Sequence, residues 1–169
     1  GLDTGDILLQ RAVPLDPRET AATLHDKLAA LGGPLLVETL LRLEAGSLTA
    51  SPQDDEASSY IPKLTRGDGL LDWSQPAVVL DRRIRGFTPW PGAFTFLEGR
   101  RLNVRGAHPV DTVPAQAPGH VEAVTHDALL VATADGCLAL TEVQLEGKRP
   151  LPVAGFLAGH PLPVGTQLG

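Results

Sequence analysis

Residues 82–93 read Arg82-Arg83-Ile84-Arg85-Gly86-Phe87-Thr88-Pro89-Trp90-Pro91-Gly92-Ala93, and the hydrophobic period changes inside them. Upstream, Ala77, Leu80 and Ile84 recur at helical spacing, whereas downstream Ala93-Phe94-Thr95-Phe96 reads as a strand. Between the two, Pro89, Pro91 and Gly92 end the helix and cannot occupy the interior of a ladder. A helix therefore feeds a sheet at this corner, and the fold class is α+β. Three arginines sit beside Phe87 and Trp90. Arginine next to aromatic rings makes either a packed corner or a surface for phosphates and bases. The packed corner is the commoner case, so Trp90 and Phe87 are expected to be substantially buried.

Working downstream, Ser74 is placed as the cap of a helix running to about Phe87. Glu98-Gly99 reads as a hairpin turn joining Ala93–Leu97 to Arg101–Val104, and Asp135-Gly136 as one joining Ala128–Thr133 to Cys137–Leu145. Gly119–Ala123 is a further strand, Pro152–Gly159 a short helix and Gly165–Leu168 a last edge strand. Five or six short strands in roughly eighty residues point to a small barrel. Aromatic residues are sparse, so Trp73, Trp90, Phe94 and Phe96 are expected to matter to its core.

Working upstream, Ile7 to Val13 reads as a strand. Asp16-Pro17-Arg18-Glu19 carries helix-start chemistry, with Asp16 as cap, Pro17 at the first helical position and Glu19 completing the box. Leu24, Leu28 and Leu31 form an apolar stripe. Gly32-Gly33 is expected to stop this helix and Pro34 to open a second, lined by Leu36, Leu40 and Leu43 and ended by Gly46. One strand and two helices with apolar faces cannot close a sheet alone, so a larger partner surface is implied. Ser47 to Ser59, with the acidic run Asp54-Asp55-Glu56, reads as a solvated linker.

The length of 169 residues allows one domain or one domain and part of another. The net charge of −6 argues against a generic nucleic-acid binder. Its distribution changes that reading: residues 1–64 hold ten acids against five bases, and residues 65–169 ten against nine. The later cations cluster at Arg82 to Arg85, Arg100 to Arg105 and Lys148-Arg149, so a local basic face can attract phosphates on an acidic molecule. The single cysteine, Cys137, excludes an internal disulfide and is expected to pack as a small apolar group in a reducing compartment. No apolar run approaches membrane-spanning length and no secretory leader is visible. His25, His108, His120, His126 and His160 match no metal spacing, and no metal is expected. Phosphate loops and nucleophile elbows do not occur.

Several motifs carry a resemblance. Asp72-Trp73-Ser74-Gln75-Pro76 followed by residues 84–93 closely resembles the C-terminal domain of the methionyl-tRNA formyltransferases. Gly1-Leu2-Asp3-Thr4-Gly5-Asp6 resembles the end of that family's catalytic domain, Tyr60-Ile61-Pro62-Lys63-Leu64-Thr65 its domain junction, and Leu145-Glu146-Gly147-Lys148-Arg149 a late loop of its barrel. The resemblance spans nearly the whole chain. It implies a fragment with residues 1–46 ending a Rossmann-like formyltransferase domain, residues 47–62 as linker and residues 63–169 as an oligonucleotide-binding-like, tRNA-binding β-barrel. The bulk of the catalytic domain would then lie upstream of Gly1.

The implied reaction moves a formyl group from 10-formyltetrahydrofolate to the amino group of initiator methionyl-tRNA, in the cytoplasm, without a metal. On the residues alone, Asp3 and Asp6 are turn carboxylates that bond their own backbone. The resemblance gives Asp3 a catalytic role: holding a histidine in its useful tautomer while that histidine and an asparagine stabilise the oxyanion. Neither partner, nor a folate loop, is found here, so the chain alone is not expected to catalyse transfer. The resemblance also implies tRNA contacts at Lys63, Arg66, Arg85, Lys148 and Arg149, made through phosphates. Two alternatives stay open. One is a related enzyme, a nucleotide-sugar formyltransferase or a 10-formyltetrahydrofolate hydrolase. The other is a non-enzymatic RNA-binding barrel.

Overall fold

The computed structural model describes residues 3–169, which divide into two units at the Lys63–Leu64 boundary. In the first, helix α1 spans Ala21–Glu44 and has no buried residue. Thr20 caps it through a reciprocal pair: Thr20 Oγ1 accepts from the Thr23 amide at 3.2 Å and Thr23 Oγ1 from the Thr20 amide at 3.0 Å. This corrects the expected start at Asp16. Asp16 and Glu19 instead hold Lys27 from the turn before the helix. The expected break at Gly32-Gly33 is also absent, and one helix runs through Pro34. The residue before a proline is normally pushed out of helical geometry partly by its own Cβ, and Gly33 has none. Gly46, at φ +64°, does end the helix, where the Gly46 and Ser47 amides donate to the carbonyls of Leu43 and Arg42.

The expected strand over residues 7–13 is reduced to a single bridge between Ile7 and Ser51. A lone extended segment with no sheet beside it has nothing to extend the ladder. Gln53 Nε2 adds bonds to the carbonyls of Asp3 at 2.9 Å and Gly5 at 2.6 Å, so this part of the linker is pinned to the start of its own unit.

The second unit holds the core. Helix α2 (Ala77–Gly86) precedes strands β1 (Ala93–Leu97), β2 (Arg100–Val110), β3 (Val121–Val124), β4 (Leu129–Ala132), β5 (Cys137–Leu145) and β6 (Leu151–Pro152), and helix α3 (Val153–Gly159) follows. The antiparallel order is β1-β2-β5-β4-β3, with β6 also on β5. Both expected hairpins form. Glu98 and Gly99 both take positive φ, as a two-residue turn of this hand requires, and Gly136 does so in the β4–β5 turn. β2 runs past Val104 because a bulge at Gly106 bends it along β5; a Cβ on Gly106 would meet Thr141 Oγ1 at 2.7 Å.

Leu80 and Ile84 of α2 pack onto Leu102, Leu138, Leu140 and Val143 of the sheet, and α3 closes one end with Val153 and Phe156. Cys137 is fully buried, and burial pushes its thiol up. The chain's last residues cover both sheet edges. The Leu168 amide donates to Gly119 beside β3, and the Gly169 amide to Phe96 of β1 at 2.9 Å.

Two expectations about the corner change. Ser74 does not cap α2: Asp72 accepts from both its amide and its hydroxyl, Pro76 sits at the cap, and the Ala77 amide donates to the Asp135 carbonyl. Trp90 is 52% exposed and Phe96 36%, while Phe87 is half-buried under Arg83. Pro91 and Ala93 face inward at the turn, and the large indole of the core is Trp73, whose Nε1 donates to the buried Thr95 hydroxyl at 3.1 Å.

Candidate nucleic-acid interface

The β5–β6 connection is a tight loop carrying Glu146-Gly147-Lys148-Arg149. Gly147 takes φ +73°. The Lys148 amide donates to Leu145, the Glu146 amide to Arg101, and Gln144 Nε2 to the Lys148 carbonyl, each at 2.9 Å. The backbone is thus held at three points while the side chains of Lys148 and Arg149 are exposed. Because β2 begins where β5 ends, the register brings Arg100 and Arg101 to the same end of the sheet. Arg100 Nη2 reaches the Glu146 carbonyl at 3.4 Å, and the Arg101 guanidinium lies 3.7 Å from the centre of the Phe94 ring. Four cations therefore gather at one end of the sheet, offset locally by the exposed Glu98 and Glu146. In the sequence Arg101 stands equally as a contact and as a solvated charge, and Arg100 joins it here by position. Their signal in the sequence was the cluster from Arg100 to Arg105, but only the β2–β5 register places it beside Lys148.

The other expected contacts fall elsewhere. Arg66 is exposed in a single turn, Arg66–Gly69. Asp68 fixes that turn by accepting from the Thr65 amide at 2.6 Å and hydroxyl at 2.9 Å; these bonds, and more weakly Arg83, hold its carboxyl below the ordinary range. Arg83 is occupied by the Asp68 carbonyl, at 2.7 Å. Gly69 has no room for a side chain, since a Cβ would collide with the Gly92 carbonyl. Arg85 is paired with the buried Asp81 at 3.0 Å and its side chain is only 19% exposed. Lys63 is exposed and belongs to the first unit.

Asp3 is exposed, with φ +60° and its carbonyl held by Gln53. Gly1 and Leu2 of its motif lie outside the described residues. Among the described residues no helix is long and apolar enough to cross a membrane.

Residues 63–161 match the formyl transferase C-terminal domain family. Along its whole length the chain is 46% identical to the methionyl-tRNA formyltransferase of Geobacter sulfurreducens, covering 53% of that protein. It is also 46% identical to that of Gluconacetobacter diazotrophicus, again over 53% of the relative. The chain thus spans about half the length of the curated relatives it matches. HypX from Aquifex aeolicus, solved with tetrahydrofolic acid, shares the fold at TM-score 0.66 and 22% identity, over 95% of this chain and 29% of that one. An N-formyltransferase from Helicobacter canadensis, solved with folinic acid and dTDP-3-aminofucose, does so at TM-score 0.63 and 15% identity, over 83% of this chain and 51% of that one. With the matched region taking in the corner, the whole six-stranded sheet and the basic hairpin, this chain belongs to the formyl transferase C-terminal domain family.

Proposed function

We propose that this chain is the tRNA-holding part of a cytoplasmic enzyme that transfers the formyl group of 10-formyltetrahydrofolate to the amino group of initiator methionyl-tRNA. The observation that carries this reading is the identity of 46% with a methionyl-tRNA formyltransferase along the entire chain, including the pinned hairpin that exposes Lys148 and Arg149. In this reading the six-stranded sheet is an oligonucleotide-binding-like barrel, closed by the C-terminal segment that bonds to both β3 and β1. The first unit is the end of a Rossmann-like domain. Its helix exposes Leu36, Leu40 and Leu43, an apolar face that suits the rest of such a domain.

Asp3 supplies the carboxylate that orients the catalytic imidazole and favours its protonated form as the amine attacks the formyl carbon. Lys63, Arg66, Lys148 and Arg149 take phosphates of the acceptor arm, and Arg85 adds positive potential while anchored by Asp81. The folate and the remaining catalytic groups are bound by the other half of the enzyme.

In the full-length protein, replacing Lys148 and Arg149 by alanine is expected to raise the KM for methionyl-tRNA and leave kcat nearly unchanged, because these cations are remote from the reacting carbon. The slope of log K against log salt should flatten by about one to two, since each lost phosphate contact releases fewer counterions. Formylation kinetics and tRNA binding at several salt concentrations measure both. Unchanged slopes, or transfer to an amino-sugar nucleotide in place of methionyl-tRNA, would overturn the reading.

A further inference from the structure

Behind the basic hairpin lies a cavity of about 200 Å³ between β5, β6 and α3. Leu145, Leu151 and Phe156 line it together with Lys148, Arg149 and His160. The His160 ring lies parallel to Phe156, with centroids 4.6 Å apart and planes 8° apart. Its Nδ1 sits 3.3 Å from the Phe156 carbonyl. The ring is therefore fixed on one face and at one nitrogen while the residue as a whole stays exposed.

We propose that this cavity holds one unpaired nucleotide of the bound RNA, with its base against the Phe156–His160 stack and its phosphate on Lys148 and Arg149. The proposal rests on the RNA reading above and adds a site to it. The volume is below the roughly 300–1,000 Å³ of ordinary small-molecule sites, and suits a single ring system. The walls are mostly apolar, with Lys148, Arg149 and His160 as the polar residues among them, so the site reads the presence of an unstacked base more than its identity. Bases stack on histidine planes, and the two cations that line the cavity are exposed and can take the attached phosphate. A duplex alone satisfies only the cations, because its bases are already stacked. The apolar cavity is used only when a nucleotide is free to leave the helix.

The test uses the whole chain and three probes: a blunt RNA hairpin, the same hairpin with an unpaired 3′ overhang, and adenosine 5′-monophosphate. The overhang is expected to bind about five- to a hundredfold more tightly than the blunt form, the range of one base–ring stack. Adenosine monophosphate should shift the backbone NMR signals of Leu151, Phe156 and His160. His160→Ala, a surface change, should erase the overhang preference, and Leu151→Trp should do so by filling the cavity. Both should leave blunt-hairpin binding intact, whereas alanine at Lys148 and Arg149 should weaken both RNAs. Equal affinity for the two RNAs, or a preference that survives His160→Ala, overturns the pocket alone. Absence of binding to either RNA overturns the RNA reading and the pocket with it. Shifts in these residues with decanoate but not with adenosine monophosphate would make the cavity an acyl-chain site and overturn the proposal.

Discussion

The two tryptophans show how far a residue's type falls short of its role. Trp73 is 6% exposed, packs against Gly119 and Gly169, and spends its indole N–H on Thr95. Trp90 is 52% exposed although it sits in the more recognisable motif. Trp73→Ala is therefore expected to cost about 3–5 kcal/mol, through lost burial and an orphaned Thr95 hydroxyl. Trp90→Ala should cost less than about 1 kcal/mol. Urea denaturation of both variants, followed by circular dichroism, decides this; equal losses would mean that the corner indole is a core residue after all. Arginines divide in the same way. Arg83 and Arg85 are committed to Asp68 and Asp81, while Lys148 and Arg149 have no ion-pair partner among the described residues.

At the scale of one element, α1 is tied to the turn that precedes it. Glu19 accepts from Lys27 and from Thr23, and these two bonds, in that order, hold its carboxyl at about 2. Lys27 is raised in turn, chiefly by Glu19 and then by Asp16, so the group is fully charged at neutral pH. A carboxylate depressed on folding stabilises the fold above its unfolded value and loses that contribution as pH falls through the folded value. The window here runs from about 4.5 down to about 2. Glu19→Gln should lower the helical signal's resistance to urea at pH 7, and the gap to the parent should close between those limits. An acid titration of the two proteins at fixed urea measures it, and a gap independent of pH would show that the contact is mere packing. The helix also shows a limit of local signals. Gly-Gly-Pro ends most helices, yet here the glycine before the proline removes the clash that normally forces the end.

For the whole molecule, stability is unevenly distributed. Every buried hydrophobic among the described residues lies between Leu71 and Leu168, and α1 contributes none. Residues 64–169 are therefore expected to fold alone, with a cooperative unfolding transition at the denaturant midpoint the same region shows in the full chain. Both tryptophans lie in this part, so their fluorescence reports it directly. Limited proteolysis should cut first in the exposed stretch of residues 58–63 and leave the later unit intact. A fragment that is aggregated or non-cooperative would show that the first unit supplies essential contacts.

What could be read from the sequence was local. The α+β class, both hairpin turns, the Gly46 helix end, the short final helix and the family motifs each depend on a few adjacent residues whose backbone preferences or spacing need no distant partner. The tertiary structure decided the rest. It turned Trp90 outward, merged two expected helices into one, left residues 7–13 without a ladder, and drew Arg85 onto a buried aspartate. It also set Arg100 and Arg101 beside Lys148, and seated the last residues against both β3 and β1. The uninterrupted α1 and the Asp81–Arg85 pair are local contacts that spacing alone did not rank. The seating of the last residues and of Arg100 and Arg101 follows instead from register between segments far apart in the chain, where the outcome is a sum over many contacts that no single stretch encodes.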